Sequence, residues 1–204
     1  SIATLIFIPM LTSTTAPIKS YLSYTLPVVG AGWIIALTGL IDDVKELSAK
    51  KKMIGILLAA SLVWFLTDFR LNDFKIPFGG PLLHFEPWLS YLLTVIWIVS
   101  ITNAVNLIDG LDGLVSGVSI ISLVTMGIVS YFFLPVPNLF LTMTIFVLVA
   151  SIAGFFPFNY HPAILYLGDT GALFIGFMIS VLSLQGLKNA TAVAVVTPMI
   201  ILGV

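Results

Sequence analysis

The sequence predicts an all-α integral membrane protein, a polytopic helix bundle with a small β-hairpin on its extracytoplasmic side. Three observations predict it. Of the 204 residues 59% are hydrophobic and only 8% are charged, against roughly a quarter charged in ordinary soluble domains. The mean hydropathy is +1.17. Apolar runs near the roughly 20 residues needed to cross a bilayer recur about eight times along the chain.

Taken in order, these runs are Ile2 to Pro17, Leu26 to Ile41, Met53 to Thr67, Trp88 to Val105, Leu114 to Leu134, Leu139 to Phe156, Ala172 to Gln185 and Ala190 to Val204. The connections are short, so successive segments should alternate direction. Alternation puts the loops beginning at Asp42, Asn106 and Pro157 on one face. Those around Lys19, Asp68 to Glu86, Pro135 to Asn138 and Leu187 to Asn189 fall on the other. Asp42, Asp43, Asp109, Asp112 and Asp169 thus gather at one boundary, five of the nine acidic residues. The second face reads as structural. Trp64, Trp88 and Tyr131 sit where an aromatic belt belongs. Asn72 to Phe85 alternates Phe74, Ile76 and Phe78 with polar residues and turns at Gly79-Gly80-Pro81, the pattern of a hairpin. Lys50, Lys51 and Lys52 beside a helix end favour the acidic face as cytoplasmic.

A net charge of −1 argues against nucleic acid, which needs a basic footprint. Without cysteine there is no disulfide, thiolate nucleophile or Cys-ligated zinc. The chain is apolar from Ser1-Ile2-Ala3, without the basic start of a signal peptide, and stops at Val204 inside an apolar run. The expectation is one transmembrane domain over residues 1–204, truncated at both ends, the interior of a longer protein.

The most informative stretch is Asn103-Ala-Val-Asn-Leu-Ile-Asp-Gly-Leu-Asp-Gly-Leu114. Polar groups at the end of an apolar run are costly unless something binds them. A spacing of three sets Asn106 and Asp109 on neighbouring helix positions, and Gly110 and Gly113 can end the helix and fold both aspartates inward. The plainer alternative has Asp112 capping the helix that begins at Leu114 and the asparagines bonding between helices. Asp42 and Asp43 follow Thr38-Gly-Leu-Ile41 at a helix C-terminus, where the dipole is already negative. A bound cation or the nearby lysines must offset them. Asp169, in Leu167-Gly-Asp-Thr-Gly171, reads either as an N-cap or as a third acidic site. His161 reads as packed among Phe, Tyr and Pro, His84 as structural and Glu46 as a loop charge. There is no P-loop and no GxGxxG.

Several Asp, an Asn and lysines around one point suit Mg²⁺, which takes one or two protein oxygens and keeps its other positions for water and phosphate. Such a set serves phosphoryl transfer, where catalysis is positioning and charge neutralisation. At a membrane boundary the simplest partners are a water-soluble phosphate donor and a lipid acceptor. The alternative is a proton- or ion-coupled transporter, whose acidic groups should be spread through the depth of the bundle.

Three stretches carry a resemblance. Gly39-Leu-Ile-Asp-Asp43 with Lys52 downstream, Asn103 to Leu114, and Phe158-Asn-Tyr-His-Pro-Ala163 running into Leu167-Gly-Asp-Thr-Gly171 resemble, in order, the signature loops of the polyprenyl-phosphate N-acetylhexosamine-1-phosphate transferases, glycosyltransferase family 4. The likeness is closer to the undecaprenyl-phosphate N-acetylglucosamine branch than to the phospho-N-acetylmuramoyl-pentapeptide branch, chiefly through the loop from Gly39 to Ala49. It implies a bundle of about ten or eleven bilayer-spanning helices, of which this chain holds the interior part. The implied reaction moves N-acetylglucosamine 1-phosphate from UDP-N-acetylglucosamine to undecaprenyl phosphate with Mg²⁺, or alternatively Mn²⁺, and releases UMP. Its product would start a cell-wall glycopolymer of the teichoic acid or O-antigen type, at the cytoplasmic membrane with the site facing the cytoplasm; a homodimer stays open.

Carried over by position, Asp169, Asn106 and Asp43 would hold the metal. Asp42 and Asp43 would orient or deprotonate the lipid phosphate. Asp109 and Asp112 would line the donor pocket with Asn103 and Asn106, and Lys52 would neutralise phosphate. A one-step displacement and a route through an aspartyl phosphate on Asp109 or Asp112 both stay open.

Overall fold

The computed structural model describes residues 18–75, 82–132 and 139–187. Among them are six helices, α1 (Ile18–Lys45), α2 (Ala49–Leu66), α3 (Pro87–Leu107), α4 (Leu114–Phe132), α5 (Leu139–Asn159) and α6 (Gly168–Leu187). Two short strands, β1 (Asp73–Lys75) and β2 (Leu82–His84), lie between α2 and α3.

Five helices are long and apolar enough to cross a membrane: α1 from Thr25 onward, α3, α4, α5, and α6 as far as Gly186. This is the pattern of a multi-pass membrane protein. Among the described residues, five of the eight expected segments meet that length and composition. Met53 to Thr67 is helical within α2, but that helix opens on Lys50, Lys51 and Lys52 and is not among the five. Ile2 to Pro17 and Ala190 to Val204 lie outside the described residues.

The bundle is organised around α6, which packs against α1, α3, α4 and α5. Leu173, Phe177, Ser180 and Ser183 are wholly buried along it. Both serine hydroxyls are satisfied by carbonyls one turn back, those of Phe177 and Ser180. Where lipid surrounds a bundle, helices are held by close packing more than by water exclusion, and small residues permit it. A Cβ at Gly39 would stand 2.5 Å from the Thr170 Cα, and one at Gly176 would stand 2.9 Å from the Thr102 Cα. These two crossings fix α1 and α3 against α6. On the other side, α4 and α5 pair with each other, sharing the buried bond from Thr142 to Ser130 at 3.1 Å.

At the far end, β1 and β2 pair antiparallel with Asp73 opposite His84, and the His84 ring meets Asp73 at 2.5 Å. The predicted turn at Gly79-Gly80-Pro81 lies outside the described residues. Ser90 donates to Asn72 at 2.9 Å, tying the strands to α3. Trp64 packs edge-on against Tyr91 and carries the Arg70 guanidinium over its face.

The helix ends set up the site. α1 runs on through Lys45, so Asp42 and Asp43 occupy its last turn. It stops at Glu46, whose φ of 47° is left-handed and whose N–H returns to the Asp42 carbonyl at 2.8 Å. A left-handed residue is a common helix terminator. Glutamate in that conformation, in place of glycine, costs about 1 kcal/mol, so Glu46 is a turn-forming residue and not only a loop charge.

Candidate functional site

Asp42, Lys52, Asn106 and Asp169 converge from the ends of four different helices. The Lys52 ammonium pairs with Asp42 Oδ2 and lies 2.9 Å from Asp169 Oδ1. Asn106 Nδ2 donates to that same Asp169 oxygen at 2.5 Å. Asp42 is only 6% exposed, and its other oxygen accepts the Leu47 N–H at 2.6 Å. A carboxylate so buried persists as an anion only with a partner, and Lys52 is that partner.

Asp43 points the other way, into the start of α6. Its Oδ1 accepts the Asp169 N–H at 2.7 Å, and its Oδ2 accepts the Thr170 N–H at 3.1 Å and the Thr170 hydroxyl at 2.5 Å. Asp169 is therefore not the cap of its own helix. It sits inside the first turn, and Asp43 does the capping from α1. Thr170 and Gly168, which complete this contact, were not singled out from sequence beyond their place in the Leu167 to Gly171 stretch.

Asp109 follows α3 in the turn Ile108 to Gly113 and is half-buried. Burial first, then the negative charges of Asp169 and Asp43, holds its carboxyl above the usual carboxylate range. Asp112 does not cap α4. Its Oδ2 accepts the Ala163 N–H at 3.0 Å and meets His161 Nδ1 at 3.0 Å. The Ala163 amide first, then the imidazole, pulls the Asp112 carboxyl below its usual range. His161 is correspondingly not packed: its side chain is 81% exposed. Asn103 is turned away, donating to the Val99 carbonyl within its own helix at 2.8 Å.

The connection from α5 to α6 is clamped by Asn159, a buried residue that the sequence marks only as part of the Phe158 to Ala163 stretch. It accepts from Ser116 at 2.6 Å and donates to the Leu165 carbonyl at 3.0 Å. Its signal was a lone amide inside the apolar run that ends α5. Around the acidic groups, Leu107, Leu111, Ile164 and Tyr166 are each more than two-thirds exposed, an apolar rim beside a charged centre. A separate apolar hollow between Val28, Phe140, Met178 and Leu182 sits toward the other end of α6 and holds none of the carboxylates.

Among the described residues no three His, Asp or Glu side chains are set to hold a metal by themselves. Mg²⁺ does not require three. Asp42 and Asp169 already share one cationic atom, the Lys52 nitrogen, and carboxylate oxygen is the donor type that Mg²⁺ takes. The donor set thus fits a hard divalent cation.

Glycosyl transferase family 4 matches residues 25–187 of the chain. A probable undecaprenyl-phosphate N-acetylglucosaminyl 1-phosphate transferase of Bacillus subtilis is 43% identical over 178 residues, 86% of this chain and 48% of that protein. Phospho-N-acetylmuramoyl-pentapeptide-transferases also match. That of Staphylococcus saprophyticus is 37% identical over 73% of this chain and 49% of its own length, and that of Listeria innocua is 31% identical over 83% and 57%. The chain spans about half the length of the curated relatives it matches.

Proposed function

This chain belongs to glycosyl transferase family 4, and on that footing we propose that the full-length protein transfers N-acetylglucosamine 1-phosphate from UDP-N-acetylglucosamine to undecaprenyl phosphate. The observation that carries the reading is the meeting of Asp42 and Asp169 at the Lys52 ammonium, with Asn106 donating to the same Asp169 oxygen, next to the exposed rim of Leu107, Leu111, Ile164 and Tyr166. A charged centre beside an apolar rim suits a soluble nucleotide donor and a lipid acceptor. A transporter expects acidic groups through the depth of the bundle. Among the described residues Asp42, at the end of α1, is the sole buried carboxylate.

In the proposed reaction an oxygen of the lipid phosphate attacks the β-phosphorus of the donor. A new P–O bond forms, the bond from that phosphorus to the bridging oxygen breaks, and the bridging oxygen leaves with UMP. A phosphate monoester has a second pKa of about 6, so its oxygen is largely ionised at neutral pH and needs no strong base. Lys52 neutralises phosphate charge, Asp42 orients the lipid phosphate, and Asp109 and Asp112 line the donor pocket. Asp169 and Asn106 would hold Mg²⁺ or Mn²⁺, which when bound supplies charge neutralisation at the pyrophosphate; Asp43, the third ligand expected from sequence, instead accepts hydrogen bonds from the first turn of α6. The protein would be multi-pass in the cytoplasmic membrane with this site facing the cytoplasm and the strand pair outside. Its product would start a teichoic acid or O-antigen type polymer.

The test is UMP release by the full-length protein in bilayers with undecaprenyl phosphate and Mg²⁺, comparing UDP-N-acetylglucosamine with UDP-N-acetylmuramoyl-pentapeptide. Turnover with the first donor alone is expected. It should fall by about two orders of magnitude or more in Asp169→Asn, the loss typical of removing a charge-stabilising group, without unfolding. Turnover only with the muramoyl donor, or full turnover by Asp169→Asn, would reject the assignment.

A further inference from the structure

Asp43 lies on the exposed acidic surface, yet both of its oxygens are committed to the first turn of α6. They take the Asp169 N–H, the Thr170 N–H and the Thr170 hydroxyl. Those amides are among the groups that a helix leaves without internal partners, and a carboxylate there is further favoured by the helix dipole. The usual source of such a cap is the residue just before the helix. Here the opening residue is Gly168 with φ 61°, and a Cβ on it would come within 3.0 Å of both Asp43 oxygens. The cap arrives instead from α1, 126 positions earlier in the chain. Gly39, one turn before Asp43, lets α1 approach the Thr170 backbone.

We infer that Asp43 is a positioning residue, capping α6 from α1 so that the Asp169 carboxylate is held toward Lys52 and Asn106. The inference rests on the phosphotransferase reading and deepens it by giving the adjacent aspartates separate tasks. Asp42 faces the Lys52 ammonium; Asp43 faces the helix. Three of the roughly four lone-pair sites of the Asp43 carboxylate are thus taken by the helix.

The test uses the full-length protein in lipid nanodiscs. It follows hydrogen exchange in the peptide covering residues 167–171 without substrates, and kcat and donor KM with them. Asp43→Asn should speed exchange there about tenfold or more, the size of losing one charge-assisted bond, and leave residues 173–184 unchanged. It should lower kcat with donor KM within about threefold, the mark of a group that acts on the reacting geometry and not on donor affinity. Gly168→Ala, which keeps every carboxylate while displacing Asp43 and straining the left-handed backbone at 168, should do the same. Thr170→Val, which deletes one donor at the cap, gives a smaller effect in the same direction and serves if Gly168→Ala does not fold. Unchanged exchange in Asp43→Asn, or wild-type turnover by Gly168→Ala beside an inactive Asp43→Asn, overturns the inference. Absence of UMP release by the wild type would sink the proposed reaction and leave exchange alone to decide the cap.

Discussion

The Lys52 ammonium lies 2.9 Å from Asp169 Oδ1 across 117 positions of sequence, and the same nitrogen pairs with buried Asp42. One lysine thus joins the end of α1 to the start of α6 and carries the charge balance between them.

Replacing Lys52 with Met should leave Asp42 buried without its counter-ion, and breaking a buried pair from one side costs about 3 kcal/mol. Thermal unfolding of the full-length variant in EDTA should show the loss. Excess Mg²⁺ should recover part of it, since a ligand of the folded state alone stabilises by mass action. Equal stability of variant and wild type in EDTA would mean that Asp42 has another partner.

Asp109 gives a pH dependence of known sign. Its folded-state carboxyl is held above the unfolded value by burial and by Asp169 and Asp43, so the folded state binds the proton more tightly. Its contribution to stability is favourable in acid and is lost as pH rises from the ordinary carboxylate value through the raised one. Asp109→Asn should therefore be more stable than wild type at neutral pH, with the advantage fading in acid. Unfolding measured across pH checks this.

Asp112 runs the opposite way. Its carboxyl is pulled down by the Ala163 amide and His161, so its contribution is present above the ordinary carboxylate value and is lost as pH falls through the lowered one. Asp112→Asn should flatten that acid limb. It should also raise hydrogen exchange at Ala163, the amide that Asp112 receives.

Gly39→Ala should separate α1 from α6, because its Cβ would land 2.5 Å from a backbone atom that cannot rotate away. Overpacking of this kind costs about 2 kcal/mol. Turnover should fall together with stability, whereas Gly30→Ala, whose Cβ would meet nothing within 4 Å, should change neither.

The sequence carried the grouping of the site but not its wiring. Alternation of short-looped segments was enough to bring Asp42, Asp43, Asn106 and Asp169 to one end, because direction across a bilayer depends only on counting crossings. Which way each side chain turns was not legible. In α3, Val95 and Ile98 are buried while Leu92 and Ile96 are about half exposed. All four are equally apolar, since lipid asks for the same chemistry as the core and erases the periodic contrast that phases a helix in water. Hence Asn103 could be grouped with Asn106, although it bonds along its own helix, and Asp169 could pass for a local cap when the cap comes from Asp43. His161 was misplaced for a related reason: packing against Phe and Tyr was inferred from composition, while the Asp112 contact that holds the ring outward joins positions 49 apart.

The span between Asp43 and α6 also bears on how the protein is made. Synthesis delivers the chain from its N-terminus, so α1 and α2 emerge with Asp42 and Lys52 only ten positions apart and able to neutralise each other early. Asp43 has no helix to receive until α6 arrives. The acidic centre is therefore a late product of assembly, and a nascent protein stalled before Gly168 would hold a shielded ion pair where the finished one has a site.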